Sequence, residues 1–365
     1  MKLCVIYNFA QHYRTAIFKK ISENYDCNFY FGENKTDIKG IDFSELKGDC
    51  KILKTYENKA FKYYFGAIGL LFKDYDTFLI LGEERCISTW AMLLFAKLYP
   101  KKKIYLWSHG KYGKEGRLKT LVQRIFFNLA DGTFLYGDYA KKIMSESGFD
   151  SSKLYVIKNS LNYDHQLQLR KESKTTGIYE KYFGNTNKVL IFIGRLTPVK
   201  HLDMLLYSVK ALEQKGENYN LVFVGDGSEK IKLETLTNEL NLTSKIWFYG
   251  ACYDDVQNCE LIYNADLCVA PGNVGLTAMH AMVFGTPVLS HNNFSWQMPE
   301  FEAIKPGVTG IFFDYMNQES LTSSISEWFE KHVSSRESVR QACYDEIDHY
   351  WNPYYQIEVL KSVIK

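Results

Sequence analysis

The sequence predicts two doubly wound α/β domains, each built on a parallel sheet. Three observations carry that expectation. Short β-branched or aromatic runs alternate with helical patterns of roughly 10–15 residues, the signature of right-handed βαβ crossovers with helices on both faces of a sheet. The chain has 365 residues, more than one hydrophobic core serves at about 100–200 residues per domain. A polar, charged stretch without strand character, QLQLRKESKTTGIYEKYFGNTN at 166–187, divides it near the middle. The expected division is a first domain over 1–165, a linker over 166–187, a second domain over 188–345 and a closing segment over 346–365.

In the front half, strands are expected at Leu3–Tyr7, Asn28–Phe31, Thr77–Leu81, Lys103–Trp107, Thr133–Tyr136 and Leu154–Ile157. Helices are expected at Tyr13–Glu23, Ile87–Leu98, Leu118–Leu129 and Asp138–Ser147. The rear half repeats the theme. Its strands are Val189–Ile193, Leu221–Val224, Lys245–Tyr249, Leu267–Ala270 and Pro287–Ser290, alternating with helices near Leu202–Lys215, Ser228–Leu240, Asp254–Asn264 and Leu276–Phe284. The tail after about Arg340 reads as helix, broken at Trp351-Asn352-Pro353, then helix to the end. No internal repeat is visible.

Hydrophobic residues make up 46% of the chain and charged residues 24%, with 7 prolines, which excludes disordered and collagen-like classes. The net charge of +2 hides an asymmetry: residues 1–165 carry 26 Lys+Arg against 18 Asp+Glu, and the remainder is net acidic. Such a front half either faces something anionic or is simply a solvated surface; charge alone leaves both open. The 8 cysteines form no Cys-x-x-Cys pair, and no His stands at zinc-finger distance, so a metal framework is not expected. The chain opens on a strand pattern without a leader, and its longest apolar runs, 65–72 and 90–96, fall short of the ~20 residues of a membrane span. The expectation is a soluble, reduced, cytoplasmic protein.

Ligands of doubly wound sheets bind beyond the carboxyl ends of the strands, and there the sequence becomes unusual. Strand VLIFI runs into Gly194-Arg195-Leu196-Thr197-Pro198-Val199-Lys200-His201 and then a helix. Two cations beside a helix N-terminus suit a diphosphate better than a solvated turn. VFVGDGS (222–228) offers Gly225 and Gly227 for a close ligand approach or for a plain turn. Pro271-Gly272-Asn273-Val274-Gly275-Leu276-Thr277 opens a helix with bare N–H groups, a second anion cradle. His280 follows one turn inside that helix; taken alone, such a residue is usually core or cap.

These loops, in this order, resemble glycosyltransferase family 4. GRLTPVKH is similar to the family's Gly-Arg-Leu-x-x-x-Lys-Gly, VFVGDGS to its Val-Gly-x-Gly turn, and PGNVGLTAMHAMVFGTPV to the segment running from its Glu-Gly-Phe-Gly into Glu-Ala-Met-Ala-x-Gly-x-Pro-Val. KPGVTGIFF (305–313) resembles its x-Asp-Gly-x-Thr-Gly strand segment. The front half matches more loosely, through YRTAIFKKI (13–21), IYLWSHG (104–110) and Asn-Ser-Leu at 159–161. The resemblance implies the GT-B architecture: two Rossmann-like domains facing each other across a cleft, with a last helix returning to the first. It implies a retaining, metal-independent hexosyltransferase acting on a nucleoside-diphosphate sugar, with UDP-sugars favoured. The implied acceptor is a glycan or polyprenyl-diphosphate-linked oligosaccharide of a bacterial surface polysaccharide, and no cofactor is implied. Arg195 and Lys200 then hold the diphosphate together with Gly194, Gly225, Gly227, Asn273, Gly275, Leu276 and Thr277. His109, in Trp107-Ser108-His109-Gly110, stands at the reacting sugar, and Tyr13 and Arg14 join it on the acceptor side.

One departure is plain. The family's two donor-binding acids align with Gly272 and His280. His280 is therefore expected to take over a hydroxyl contact, Gly272 to leave room for a different sugar, and Glu302, with Glu300 near it, to compensate. A non-catalytic glycan- or nucleotide-sugar-binding subunit and a sugar-nucleotide epimerase of similar build stay open beside the transferase. Asp74-Tyr75-Asp76 reads as a turn before a strand. The basic region containing Lys101–Lys103, Lys111, Lys114, Arg117, Lys119 and Arg124 shows no nucleic-acid module and suits an anionic membrane surface.

Overall fold

The computed structural model describes residues 1–35, 39–332 and 335–365. It divides into two compact units, Met1–Tyr163 with Trp351–Lys365, and Asp164–Tyr350.

The first unit holds β1 (Lys2–Tyr7), β2 (Asp26–Gly32), β3 (Cys50–Leu53), β4 (Thr55–Glu57), β5 (Lys62–Tyr64), β6 (Thr77–Leu81), β7 (Lys103–Ser108), β8 (Gly132–Leu135) and β9 (Leu154–Val156). Its helices are α1 (Thr15–Asn24), α2 (Ile87–Ala96), α3 (Arg117–Leu129) and α4 (Asp138–Glu146). Seven strands form a parallel sheet in the order β3-β2-β1-β6-β7-β8-β9, and β4 and β5 make a separate antiparallel hairpin. Strand periodicity explains the two-sided core. Leu3, Val5 and Tyr7 of β1 pack with Phe18, Phe29, Phe31 and Trp107 on one face. Cys4 and Ile6 pack with Phe78, Ile80, Leu106 and Phe126 on the other.

The second unit contains α5 (Tyr163–Glu172, beginning at the unit boundary), α6 (Ile178–Phe183), β10 (Lys188–Ile193), α7 (Leu202–Gln214), β11 (Tyr219–Val224), α8 (Lys230–Glu239), β12 (Ile246–Gly250) and α9 (Asp255–Asn264). It continues with β13 (Leu267–Ala270), α10 (Leu276–Val283), β14 (Val288–His291), β15 (Gly310–Phe313), α11 (Gln318–Lys331) and α12 (Arg336–Tyr350). Its parallel sheet runs β12-β11-β10-β13-β14-β15. The chain leaves β10 toward β11 on one side and later returns to β13 on the other. The topological switch point thus lies between β10 and β13, the position where open α/β sheets bind ligands.

The stretch expected as a linker, 166–187, instead contributes α5 and α6 to the second unit. The reason is aromatic. Tyr179 is buried and donates its hydroxyl to the Leu261 carbonyl at 2.6 Å, while Tyr182 stacks on Trp247 with ring centroids 3.9 Å apart. The second unit also reaches Tyr350 rather than 345, because Arg170 of α5 makes paired hydrogen bonds to Asp348 of α12 at 3.0 and 2.8 Å. The last helix, α13 (Pro353–Val363), starts where the Asn352 side chain accepts the N–H groups of Tyr354 and Tyr355. It buries Ile357 and Leu360, with Ile364 just beyond, in the same core as α1. Strands β3, β4 and β5 and helix α11 add to the expected elements, and β15 lies in the segment 305–313 that the resemblance implied as a strand. Among the described residues, no helix is long and apolar enough to cross a membrane.

Candidate active site

In the second unit, the loops after β10 and β13 lock together at the switch point. Pro198–Lys200 forms one turn of 3₁₀ helix, and His201 at φ 48° redirects the chain into α7. Lys200 Nζ donates to both the carbonyl oxygen and the side-chain oxygen of Asn273, at 2.6 and 2.8 Å. One ammonium thereby holds the loop that precedes α10 and keeps a further N–H for a ligand. Burial, joined by the Arg195 charge, pulls the Lys200 ammonium down to about 8, and the buried carboxylate of Glu300 acts in the opposite sense. Arg195 is exposed.

The loop before α10 is fastened from beneath. Gln297 accepts the Val274 N–H at 2.8 Å and donates to Ser290 Oγ and the His291 carbonyl. Thr277 spends its hydroxyl on the Ile193 carbonyl at the end of β10 and turns its N–H back to the Val274 carbonyl at 3.3 Å. Gly275 (φ 52°) caps α10 without a side-chain hydrogen bond; first-turn N–H groups of a helix have no intrahelical partner. Along α10 only Leu276 and His280, four residues apart, are incompletely buried, so they share its one open stripe. The same loops border an open cleft of about 330 Å³, lined by residues that include Val199, His201, Asn273, His291 and Trp296.

The expectation that Gly272 leaves room for a different sugar is corrected. A Cβ there would lie 2.0 Å from the Val199 carbonyl oxygen and 2.6 Å from Lys200 Cα. The Gly272 N–H also donates to the Lys200 carbonyl at 2.9 Å. The space is filled by backbone, and the glycine is the condition for the two loops to meet. Gly225 and Gly227 are alike: their Cβ positions lie 1.9 and 2.3 Å from the carbonyl oxygens of Gly194 and Leu196. Their φ angles of 151° and 156° also lie where L side chains are strained. Of the two nearby acids, Glu300 is buried and acts on Lys200, whereas Glu302 is half-buried.

In the first unit, His109 follows β7. Ser108 ties that strand end to the Gly82 carbonyl at 2.8 Å and accepts the Gly110 N–H. Gly110 sits at φ 68°, where a Cβ would meet Leu135 and Met144 at 2.8 Å. The imidazole lies against the Tyr136 ring with centroids 4.6 Å apart, and its Nδ1 is buried without a hydrogen-bond partner. Burial, then the Arg14 charge, lowers the imidazole to about 4. Arg14, one residue before α1, is buried rather than presented to solvent. Its guanidinium lies 5.1–5.6 Å from the ring centres of Tyr7, Trp107 and Tyr136 and donates to the Tyr136 hydroxyl at 2.6 Å. Tyr13 is half-buried in the same short turn. Lys111, counted above in the basic region, is buried and donates to Thr120 and Ser147. Asp76 of the Asp-x-Asp turn accepts the Lys2 N–H at 2.7 Å.

Sequence reasoning missed Gln297 and Ser290. Each matters only through partners distant in the chain, and no local pattern marks either one.

The family described as Glycosyl transferases group 1 matches residues 178–345. An uncharacterized glycosyltransferase of Methanocaldococcus jannaschii is 32% identical over 189 residues, 48% of this chain and 45% of the relative. An uncharacterized 41.2 kDa protein in the cps region of Klebsiella pneumoniae is 25% identical over 256 residues, 65% of this chain and 60% of that protein. The chain thus spans about half the length of these curated relatives. The crystal structure of Anabaena HepE in complex with UDP superposes with a TM-score of 0.75 at 14% identity, covering 100% of this chain and 99% of that one. At that identity the likeness speaks for the fold. Residues 178–345 thus match the group 1 glycosyl transferases, and the two parallel sheets have the fold of GT-B glycosyltransferases.

Proposed function

We propose that the protein is a retaining hexosyltransferase of the family 4 type. It takes a hexose from a nucleoside-diphosphate sugar, with UDP-sugars favoured, and delivers it to a glycan or polyprenyl-diphosphate-linked acceptor in bacterial surface-polysaccharide assembly. The observation that carries the reading is the Lys200–Asn273 lock at the switch point, with Arg195 beside it and the open first turn of α10 behind it. A departing diphosphate needs fixed positive charge and N–H dipoles, each such group being worth roughly 10²–10³ in rate. Arg195, Lys200 and the amides of Gly275 and Leu276 supply them, and the Thr277 amide joins by turning from its 3.3 Å contact with the Val274 carbonyl, so the reading routes no step through a metal. UDP in the HepE structure and the cps region of the Klebsiella relative support the donor and the pathway class.

His109 serves the reacting sugar as a neutral group. An imidazole lowered to about 4 carries no charge at neutral pH, so it does not oppose positive charge developing on the sugar ring. Arg14 is a positioning residue, keeping that imidazole neutral; Tyr13 belongs to the acceptor side. His280 contacts a donor hydroxyl from the open stripe of α10, and Glu302 contributes at the rim. The protein works as a peripheral protein at the cytoplasmic face of the membrane.

Calorimetric titration with UDP, GDP and ADP, followed by transfer assays with and without acceptor glycans, tests this. Tight binding of one diphosphate, lost in Arg195→Ala and Lys200→Met, is expected. Equal affinity in wild type and both variants refutes the donor site. Donor binding with no turnover on any acceptor selects the non-catalytic subunit, and donor isomerisation without acceptor selects the epimerase.

A further inference from the structure

Two neighbouring helices of the first unit are apolar on the side that should be polar. α2 buries Met92, Leu93 and Ala96 against the sheet. Yet Ile87, Leu94 and Phe95, continued by Leu98 just past its end, are exposed, with Trp90 half-buried between them. Positions 87, 90, 94, 95 and 98 form one helical stripe. α3 repeats the pattern: Phe126 and Phe127 are buried, while Leu118, Leu121, Val122 and Ile125 point out. Leu98 and Leu118 retain 73% and 77% of their surface. The helices adjoin through Trp90 and Phe126, whose rings lie 5.0 Å apart. A surface helix ordinarily turns charges to water; contiguous exposed apolar surface marks an interaction site.

The surrounding charge is mainly basic, although Arg85, Lys103 and Lys119 are paired with Glu57, Asp131 and Glu84. Between Arg85 and Ala130 the sequence has 10 Lys+Arg and one acid, Glu115. That acid is engaged, accepting the N–H groups of Tyr112 and Gly113 at 2.9 Å. Lys97, Lys101, Arg117 and Arg124 are exposed around the stripes.

We infer that the α2–α3 face is a docking surface for an anionic lipid bilayer. Leu94, Leu98, Leu118, Leu121 and Ile125 enter the boundary between headgroups and acyl chains, while the flanking cations meet lipid phosphates. The pattern of charge selects this occupant. A second copy would bring two sets of like charges together, and nucleic acid has no use for an unbroken apolar stripe. The inference rests on the peripheral-membrane reading above and deepens it by naming the face that carries the contact, and its observations are independent of the donor site.

Sedimentation of the full chain with vesicles tests it. Vesicles of phosphatidylcholine and phosphatidylglycerol in equal parts should carry the protein down at low salt, and phosphatidylcholine alone should carry far less. Leu118→Gln combined with Ile125→Gln should lower the bound fraction by roughly tenfold. Arg117→Glu combined with Arg124→Glu should remove the preference for anionic lipid and its dependence on salt. All four changes lie on exposed positions, and an unchanged melting temperature and circular-dichroism spectrum report an intact fold. Wild-type protein that ignores anionic vesicles, or a glutamine pair that binds like wild type, overturns the inference. So does a lipid-free dimer that the glutamine pair converts to monomer, because a second copy then covers the face. Vesicle binding is read without any sugar or nucleotide, so its failure leaves the donor reading untouched, and the reverse.

Discussion

Lys200 does two things with one ammonium: it fixes Asn273 and it faces the place proposed for a diphosphate. Its lowered proton affinity makes the second role measurable. The free protein loses the Lys200 proton near pH 8, whereas a bound diphosphate favours the charged form. Diphosphate affinity should therefore hold below pH 8 and fall as pH rises through it, by up to about tenfold per unit. Titration calorimetry between pH 7 and 9.5 reads this directly, with Lys200→Arg as the control, since a guanidinium keeps its charge across the range. A flat profile in the wild type would mean that the ammonium does not face the ligand. Gly272 gives the opposite kind of residue-scale expectation. Restoring the family's acid by Gly272→Glu should weaken diphosphate binding and lower the melting temperature, because its Cβ would fall on the Val199 carbonyl. A variant that binds donor more tightly would show that the two loops can part at little cost.

Elements declared themselves in the sequence where burial is continuous. β1, β6, β10 and β13 read as unbroken apolar runs because both faces of a parallel strand are covered. β3, whose inner residues Lys51 and Ile52 are exposed, carries no such run and went unread. The phosphate-type loops were legible for a different reason: glycine, proline and paired cations after a strand have few other uses. The fastening beneath them was not, since Gln297 meets Val274 only after β14 has been placed in the sheet. α6 is the instructive failure. Its composition is polar enough for a linker, yet the aromatics of IYEKYF anchor it to the second unit. Tyr182→Ala removes the stack on Trp247 and should cost about 0.5–1.5 kcal/mol beyond the area lost. Tyr179→Phe removes the hydrogen bond to the Leu261 carbonyl, at about 1 kcal/mol or more, because a buried acceptor is left unpaired. Chemical denaturation of both variants should show losses of that order. Wild-type stability in both would make the segment a tether after all.

Across the whole molecule, each unit keeps one imidazole neutral by burying it. His109 in the first unit and His291 in the second are both lowered to about 4. His291 is buried, rests against the Tyr315 ring, feels the His201 charge and accepts the Asn293 N–H through Nδ1. In the unfolded chain both titrate near 6.5. Between those values the unfolded state binds more protons, so stability rises with pH across the window and is lost as pH falls from about 6.5 toward 4. Above 6.5 neither state is protonated and the dependence vanishes; below 4 both are, and the loss is complete. From 6.5 down to about 5.5, carboxylates of ordinary pKa are almost wholly ionised in both states, so the slope there belongs mainly to imidazoles, at about 1.4 kcal/mol per pH unit for each full proton taken up. Urea unfolding of the full chain at intervals through this window should show the free energy falling with acidification. His291→Gln keeps an acceptor for Asn293 and should remove the share that belongs to the second unit. If the wild-type stability is level from pH 6.5 to about 5.5, neither imidazole is held neutral. The neutral state proposed for His109 at the reacting sugar then loses its physical basis as well.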